Sequence, residues 1–463
     1  MLTYSLAKTH GTRLYEELYR AIRRDIETGQ LQANEKLPSK RSLAQHLGLS
    51  VVTVETAYEQ LAAEGYIRCV PRSGCFVNPI NHPQPEPPAP APQPDPPTPS
   101  CLMDLCRTSP GENFPFTIWA RLMRTTILDQ ETSFLQPLSN NGARELREAI
   151  ARYLLRARGL SVSPSQIIIG AGTEYLYQLL ILLLGRDLCY AIENPGYKKI
   201  ASIYQLNGVT CLPISMDSQG LSAAELQKSP TDVVHISPAH HYPTGIVMPI
   251  SRRRELLAWA EEGAHYIIED EYDSEFRFIG RPLPPLFGED SSERVIYMNT
   301  FSQTISPSIR ISYLCLPPHL MERYHRLMGF YSCSVPGFEQ LTLAKFIEEG
   351  YFERHINRMK TYYRKKRKAV FDCIENSSLS SFITIHEENA GLHFLAQLHT
   401  DLSDEAISAA MLRQGIRLSF LSEYLSAPAS QSPHTLVVNY SGVDLELLPQ
   451  VLETLADLLR SQT

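Results

Sequence analysis

Apolar residues recur at helical spacing near the start of the chain. Leu14, Leu18, Ala21, Ile22 and Ile26 share one face, and Gly29 supplies a stop. Two shorter helices follow in the pattern. Ser39 can cap one that carries Leu43, Ala44 and Leu47, and Gly48 makes a turn. Ser50 can cap the next, with Val54, Ala57, Tyr58 and Leu61 inward and Gly65 ending it. Residues 67–70 and 75–77 flank Pro71-Arg72-Ser73-Gly74, which predicts a two-stranded wing. The pattern breaks at Pro79. From there to Pro99 lie eleven of the chain's 33 prolines, whose rings fix φ and remove the N–H, so neither helix nor ladder can form. The expectation is an extended linker over residues 79–100, at about 3 Å per residue. Beyond it, helical and strand-like segments alternate to the end, with strands expected at 166–169, 233–237, 266–269 and 295–298. Such alternation predicts an α/β fold on a mainly parallel sheet. The organisation expected is a small helical unit with a wing over 1–78, the linker, and a large domain over 101–463.

Composition adds limits. The chain has 463 residues, 43% hydrophobic and 20% charged, as in a globular protein with a sizeable core. Its net charge of −7 is unevenly spread. Residues 1–78 hold ten Lys+Arg against eight Asp+Glu, a net of +2, and the remainder carries −9. None of the nine cysteines forms a CxxC pair, which suits reduced thiols in a cytosol better than a disulfide framework or a zinc site. The opening MLTYSLAKTH has no apolar core of a signal peptide. The longest apolar run, 179–184, is far short of the roughly 20 residues that span a bilayer. A cytoplasmic protein without a membrane partner is expected.

Two short helices joined at Gly48 form a helix-turn-helix, whose second helix can enter a major groove about 12 Å wide. That helix offers Ser50, Val51, Thr53 and Thr56 near its start. Lys40 and Arg41 open the preceding helix, where backbone N–H groups and positive side chains suit phosphate. Arg72 at the wing tip can reach a phosphate or the minor groove. The segment LPSKRSLAQHLGLSVVTVETAYEQLAAEGYI, followed by RSGCFV, closely resembles the winged helix of GntR-type repressors. Those relatives often carry Arg directly after the Ser that begins the recognition helix, where this chain has Val51.

In the large domain, IIEDEYDSEF places Asp270 at a strand end with Tyr272 two residues on. Ligands of open α/β sheets sit at such ends, and an Asp there can hold a protonated pyridine nitrogen. IIIGAGTEYLYQLL reads as strand, turn and helix, so Gly172, Thr173 and Glu174 would present N–H groups to a phosphate. ENPGYKK puts Tyr197 on a loop, where its ring can stack on a cofactor. SPAHHYPTG carries His240 and His241, adjacent residues that point to opposite sides, so no metal site is expected. NTFSQTISPSIR offers Thr300, Ser302 and Arg310 as phosphate ligands.

Together these segments resemble the aminotransferase-like domain of the MocR-type subfamily of GntR regulators, from about Leu102 to the C-terminus. The resemblance implies a pyridoxal 5'-phosphate fold of type I. Asp270 would pair with the pyridine nitrogen, Tyr272 with the phenolic oxygen, Thr300, Ser302 and Arg310 with the phosphate, and Tyr197 would lie on the ring. Lys199 stands where some relatives hold an effector carboxylate. The residue that forms the Schiff base in relatives is a lysine, and here it is Gln303. An amide cannot condense with an aldehyde or shuttle a proton, so no catalytic residue is assigned and no covalent internal aldimine is expected. The cofactor would bind non-covalently or as an aldimine with a free amino compound. Two explanations stay open: a variant made to prevent covalent attachment, or a natural regulator that binds without it. Glu174 stands where relatives often carry Gln and is expected to contribute its backbone only. A homodimer binding operator DNA under control of a small amino-compound effector is the function this implies. A working aminotransferase and a purely structural dimerisation scaffold are the competing readings.

Overall fold

The computed structural model describes residues 2–4, 13–79, 102–106, 113–129, 136–278, 283–386, 391–427 and 434–460. The linker expected over 79–100 lies, apart from Pro79, outside the described residues. Two compact units divide the chain, Met1–Thr98 and Pro99–Thr463.

The first unit contains α1 (Leu14–Glu27), α2 (Lys40–Leu47), α3 (Val51–Ala63) and the hairpin β1 (Ile67–Val70) with β2 (Gly74–Val77). Both expected caps form. Ser39 Oγ accepts from the Ser42 amide at 3.2 Å, and Ser50 Oγ accepts from the Thr53 amide at 3.1 Å. Leu18, Ile22 and Ile26 meet Leu43 and Ala44 of α2 and Val54, Ala57, Tyr58 and Leu61 of α3 in one buried core. Tyr58 keeps its hydroxyl satisfied there by donating to the Pro38 carbonyl at 3.0 Å. One expectation is corrected in the wing. Cys69 and Cys75 are not separate thiols but a disulfide. The hairpin register sets them directly opposite one another, with Cα atoms 4.0 Å apart, and that register decides the pairing. The six other described cysteines are free.

In the second unit, β3 (Met103–Asp104), α4 (Phe116–Asp129) and α5 (Arg144–Arg158) precede the central sheet. Its strands are β4 (Ile167–Gly170), β5 (Cys189–Asn194), β6 (Thr210–Asp217), β7 (Gly220–Leu221), β8 (Val233–Ile236), β9 (Tyr266–Asp270), β10 (Val295–Thr300) and β11 (Ser312–Cys315). They lie in the order β4-β11-β10-β9-β8-β5-β6-β7. β11 runs antiparallel to both neighbours and β7 to β6; the other neighbouring pairs are parallel. β4, β8, β10 and β11 are buried at every position, so both faces are covered, as their largely apolar sequences demand. The helices that cover them include α6 (Thr173–Leu184), α7 (Lys198–Leu206), α8 (Ala223–Leu226), α9 (Ile250–Gly263), α10 (Leu286–Glu289), α11 (Pro318–Met328) and α12 (Gly337–Glu348). Ile168, Ile268, Ile296 and Leu314 pack with α6 and α11. Ile167, Ile169, Tyr297 and Tyr313 turn the opposite way, toward α5 and α12, with the strand period of two.

After α13 (Tyr351–Glu375) the chain builds a smaller layer from β12 (Ile383–His386), β13 (His393–Leu398), α14 (Asp404–Arg413), β14 (Ile416–Arg417), β15 (Thr435–Asn439) and α15 (Leu448–Arg460). β12, β13 and β15 form an antiparallel sheet whose Phe394, Ala396 and Leu436 pack on Val370, Leu452 and Leu455. The alternation read from the sequence did not separate this layer from the main sheet. β14 pairs with β3, tying residues 103–104 to the C-terminal region. Among the described residues, no helix is long and apolar enough to cross a membrane.

Candidate functional site

β4, β5, β8, β9 and β10 run parallel and end along one edge of the sheet, and their following residues line a cavity of about 290 Å³. Thr173 and Glu174 start α6 beyond β4, and Tyr197 and Lys199 follow β5. Asp270 ends β9 with Tyr272 beside it. Thr300 ends β10, and Ser302, Gln303 and Arg310 follow. Every cofactor- or effector-binding residue expected from the sequence lines this cavity except Gly172, which acts from behind. Gly172 has φ +92, and a Cβ there would lie 2.3 Å from Arg310 Nη2. Only glycine lets the α6 N-terminus and the Arg310 guanidinium sit together.

Asp270 is buried, and its two oxygens differ. Oδ2 accepts from the Tyr177 hydroxyl at 2.7 Å and lies 3.4 Å from His235 Nε2, too poorly aimed for a hydrogen bond. His235 is itself fixed by Tyr204, whose hydroxyl is 2.7 Å from Nδ1. Oδ1 has no hydrogen-bond partner among the described residues. A buried carboxylate oxygen without a donor is costly, and a protonated ring nitrogen would satisfy it. Tyr272 approaches His240 Nδ1 at 3.3 Å, and that nitrogen lies 2.9 Å from Asp273 Oδ2. Burial, and then the Asp273 carboxylate, hold the Tyr272 phenol protonated, as a donor to a ligand requires.

Ser302 Oγ is likewise buried without a partner, whereas the Thr300 hydroxyl accepts from Ser312 Oγ at 2.8 Å and from the Ser302 amide at 3.1 Å. Thr300 therefore shapes the cup more than it lends its hydroxyl. Glu174 departs from expectation. Its side chain does not turn away but bridges the Arg310 guanidinium and the Lys199 ammonium. Burial raises its pKa, but the hydrogen bonds from Lys199 and Arg310 outweigh this and hold it at about 2. Two cations at a helix start attract the nearest carboxylate, and that carboxylate is where a phosphate would have to compete.

The far wall carries groups that the sequence reading did not assign. Burial pushes Glu193 up to about 8 and His241 down to about 3, so both are uncharged near neutrality, and burial also lowers His393. Tyr242 and Tyr424 share a hydrogen bond of 2.8 Å beside them. A polar residue inside a fully buried strand, as His235 is in β8, was the available signal for this layer. Among the described residues, no cluster of three His, Cys, Asp or Glu is placed to hold a metal ion.

In the first unit, Arg41 is exposed on α2 and Arg72 is exposed at the wing tip with φ +63. Lys40 is engaged, with Nζ 2.6 Å from Glu55 Oε1 on α3. Ser50 and Thr53 pair their hydroxyls at 2.7 Å. Val52, not singled out before, is 68% exposed at the start of α3, beside exposed Val51. Apolar surface there suits a thymine methyl.

The sequence profile of bacterial regulatory proteins of the gntR family matches residues 14–77, and that of aminotransferase class I and II matches residues 109–455. The HTH-type transcriptional regulator YdeL of Bacillus subtilis is 35% identical, over 96% of this chain and 96% of its own. The probable rhizopine catabolism regulatory protein MocR of Rhizobium meliloti is 31% identical, over 96% of this chain and 93% of its own. Among solved structures, an archaeal alanine:glyoxylate aminotransferase superposes with a TM-score of 0.69 at 22% identity, covering 78% of this chain and 91% of that one. That likeness shows the fold alone.

Glu174→Gln should tighten the cup for phosphate. The change keeps the shape, removes a negative charge and frees Arg310 and Lys199, both half exposed. Calorimetry with pyridoxal phosphate should show severalfold higher affinity, about 1 kcal/mol after solvent screening. Weaker binding in the variant would mean that Glu174 supports the site rather than competing for it.

Proposed function

The chain belongs to the gntR family of bacterial regulatory proteins, in the MocR-type branch with an aminotransferase-like C-terminal domain, and from that membership we propose how this transcription regulator works. Residues 1–78 bind operator DNA, and the domain over 101–463 binds pyridoxal phosphate as a ligand without turning it over. The observation that carries this reading is a pocket with unspent ligand groups and no amine at position 303. Asp270 Oδ1 and Ser302 Oγ are buried without partners on the cavity wall, while the residue between Ser302 and Thr304 is Gln303.

When bound, the cofactor supplies an aldehyde and a protonated ring that draws electrons. The chain's own groups then have these tasks. Asp270 Oδ1 accepts the ring N–H, and the Tyr272 phenol donates to the ring's phenolic oxygen. Tyr197 covers one ring face. Ser302, the Thr173 and Glu174 amides and Arg310 hold the phosphate, in competition with the Glu174 carboxylate. Gln303 offers the aldehyde neither a nucleophile nor a base. The ligand, alone or with a small amino compound that reaches Lys199, changes DNA affinity only insofar as it prefers one conformation of the protein. The reading includes a homodimer and a cytoplasmic location. On DNA, Arg41 and Arg72 contact phosphates. Lys40 does so after leaving Glu55, while Ser50 and Thr53 shape the helix start and Val51 and Val52 meet base edges.

Two measurements test the halves separately. Arg41→Ala should weaken duplex binding and flatten its dependence on salt by about one unit of log–log slope. An unchanged slope and affinity would remove Arg41 from the interface. For the pocket, intact-mass spectrometry after borohydride should find no cofactor-sized addition to the Gln303 chain, and one addition in Gln303→Lys. An addition to the unsubstituted chain would show that another amine, such as Lys199, attaches the cofactor. No addition in either protein would count against the pocket assignment.

A further inference from the structure

The long helix α13 carries a charge pattern that the pocket does not use. Its stretch 354–371 holds eight Lys+Arg and no Asp or Glu, within a unit whose net charge is strongly negative. The helix buries Phe352, His355, Ile356, Met359, Tyr363, Lys366 and Val370. The opposite side exposes Arg354, Asn357, Arg358, Thr361, Arg364, Lys365 and Lys368. These positions follow one another by three and four, so they form a single stripe along one helical face, about 21 Å long.

Two features separate this stripe from an ordinary solvated face. Arg364, Lys365 and Lys368 make no ion pair or hydrogen bond with the described residues. Arg354 and Arg358 donate only to the carbonyls of Glu349 and Asn113 and to His355. By contrast, four of the five arginines of α5 are matched to carboxylates, Arg144 with Glu148, Arg152 with Glu348, Arg156 with Glu353 and Arg158 with Glu271, and the fifth, Arg147, donates to the Gly142 and Pro164 carbonyls. Like charges also stand four apart at Arg354–Arg358 and Arg364–Lys368, an arrangement that costs helix stability and that a polyanion would relieve.

We propose that the exposed basic stripe of α13 is a second, sequence-independent contact for the phosphate backbone of duplex DNA. Duplex DNA carries one charge per about 1.7 Å of axis, so the stripe matches about six base pairs of backbone. Its polar members besides the cations, Asn357 and Thr361, suit phosphate oxygens. A lipid surface fits less well, because the helix's apolar residues are committed to the core and none of this face can insert. The proposal rests on the DNA-binding reading above. Tethering to the first unit would raise the stripe's effective concentration at DNA already held.

The test uses the full chain and a 40-base-pair duplex of arbitrary sequence, titrated over a range of salt. The triple variant Arg364→Gln, Lys365→Gln, Lys368→Gln should lose about tenfold or more in affinity near 0.1 M salt, with a log–log slope shallower by two to three units. Asn357→Lys, on the same face, should steepen the slope by about one unit, which guards against a folding defect in the triple variant. Affinity and slope unchanged in both variants overturn the proposal. If Arg41→Ala weakens binding while the α13 variants do not, the winged-helix reading stands and the stripe falls. If the α13 variants act and Arg41→Ala does not, the stripe stands and Arg41 alone leaves the interface. No binding by the unsubstituted chain overturns both. If the triple variant loses binding to phosphatidylglycerol vesicles but not to the duplex, the stripe is a lipid contact and the proposal fails.

Discussion

A carboxylate at the end of a strand buried on both faces is the constraint around which the large unit is arranged. Asp270 closes β9, which lies between β8 and β10 in the middle of the sheet. Placing a carboxylate there is expensive unless its oxygens find donors. The fold supplies donors to one oxygen only: Tyr177 from α6 binds it, and His235 from β8 stands near it, held in turn by Tyr204 from α7. Three elements thus converge to fix one side chain while its second oxygen stays open. A structural carboxylate would gain from satisfying both oxygens. An open oxygen on the cavity wall fits a donor that arrives from outside.

The phosphate end follows the opposite logic. There the chain has positive charge in excess and balances it internally. Glu174 spans Lys199 and Arg310 across a gap that Gly172 keeps open. An anion entering the cup has to displace a carboxylate already ionised well below neutral pH. A ligand bound as proposed would complete a hydrogen bond at one end and exchange one anion for another at the other. The two ends lie on different elements, Asp270 on β9 and Glu174 on α6. A ligand that spans them couples those elements, which is what a regulator needs and a rigid scaffold does not.

Much of this was legible in the sequence, and the limits are physical. The winged helix read almost residue by residue, because its caps, its stop glycines and the spacing of Leu18, Ile22, Val54 and Tyr58 are local signals. The strand end carrying Asp270 was legible because a buried parallel strand is an apolar run that stops abruptly, whereas the strand expected at 295–298 runs on to Thr300 through buried Asn299. What was missed depends on contacts between distant segments. The Cys69–Cys75 bond follows from hairpin register, and no CxxC spacing announces it. The Tyr177–Asp270 and Tyr204–His235 contacts span 93 and 31 residues. The engagement of Glu174 was misjudged because the two cations that hold it lie 25 and 136 residues away. The antiparallel layer of β12, β13 and β15 was hidden partly for the same reason, since β13 pairs with β15 across α14 and β14, and partly because β12 and β13 are short.

Gln303 gives these parts their direction. In a catalyst, the binding energy of the phosphate cup and the Asp270 contact would serve to position a reacting amine. With an amide at that position, as proposed above, the same contacts would act on an equilibrium, stabilising whichever arrangement of the protein binds the ligand more tightly. The size of the response is then set by how much binding differs between two states and not by how tight it is in one. The Glu174 bridge enters such a response only insofar as two states hold it differently, because a competitor equal in both weakens binding without shifting the balance.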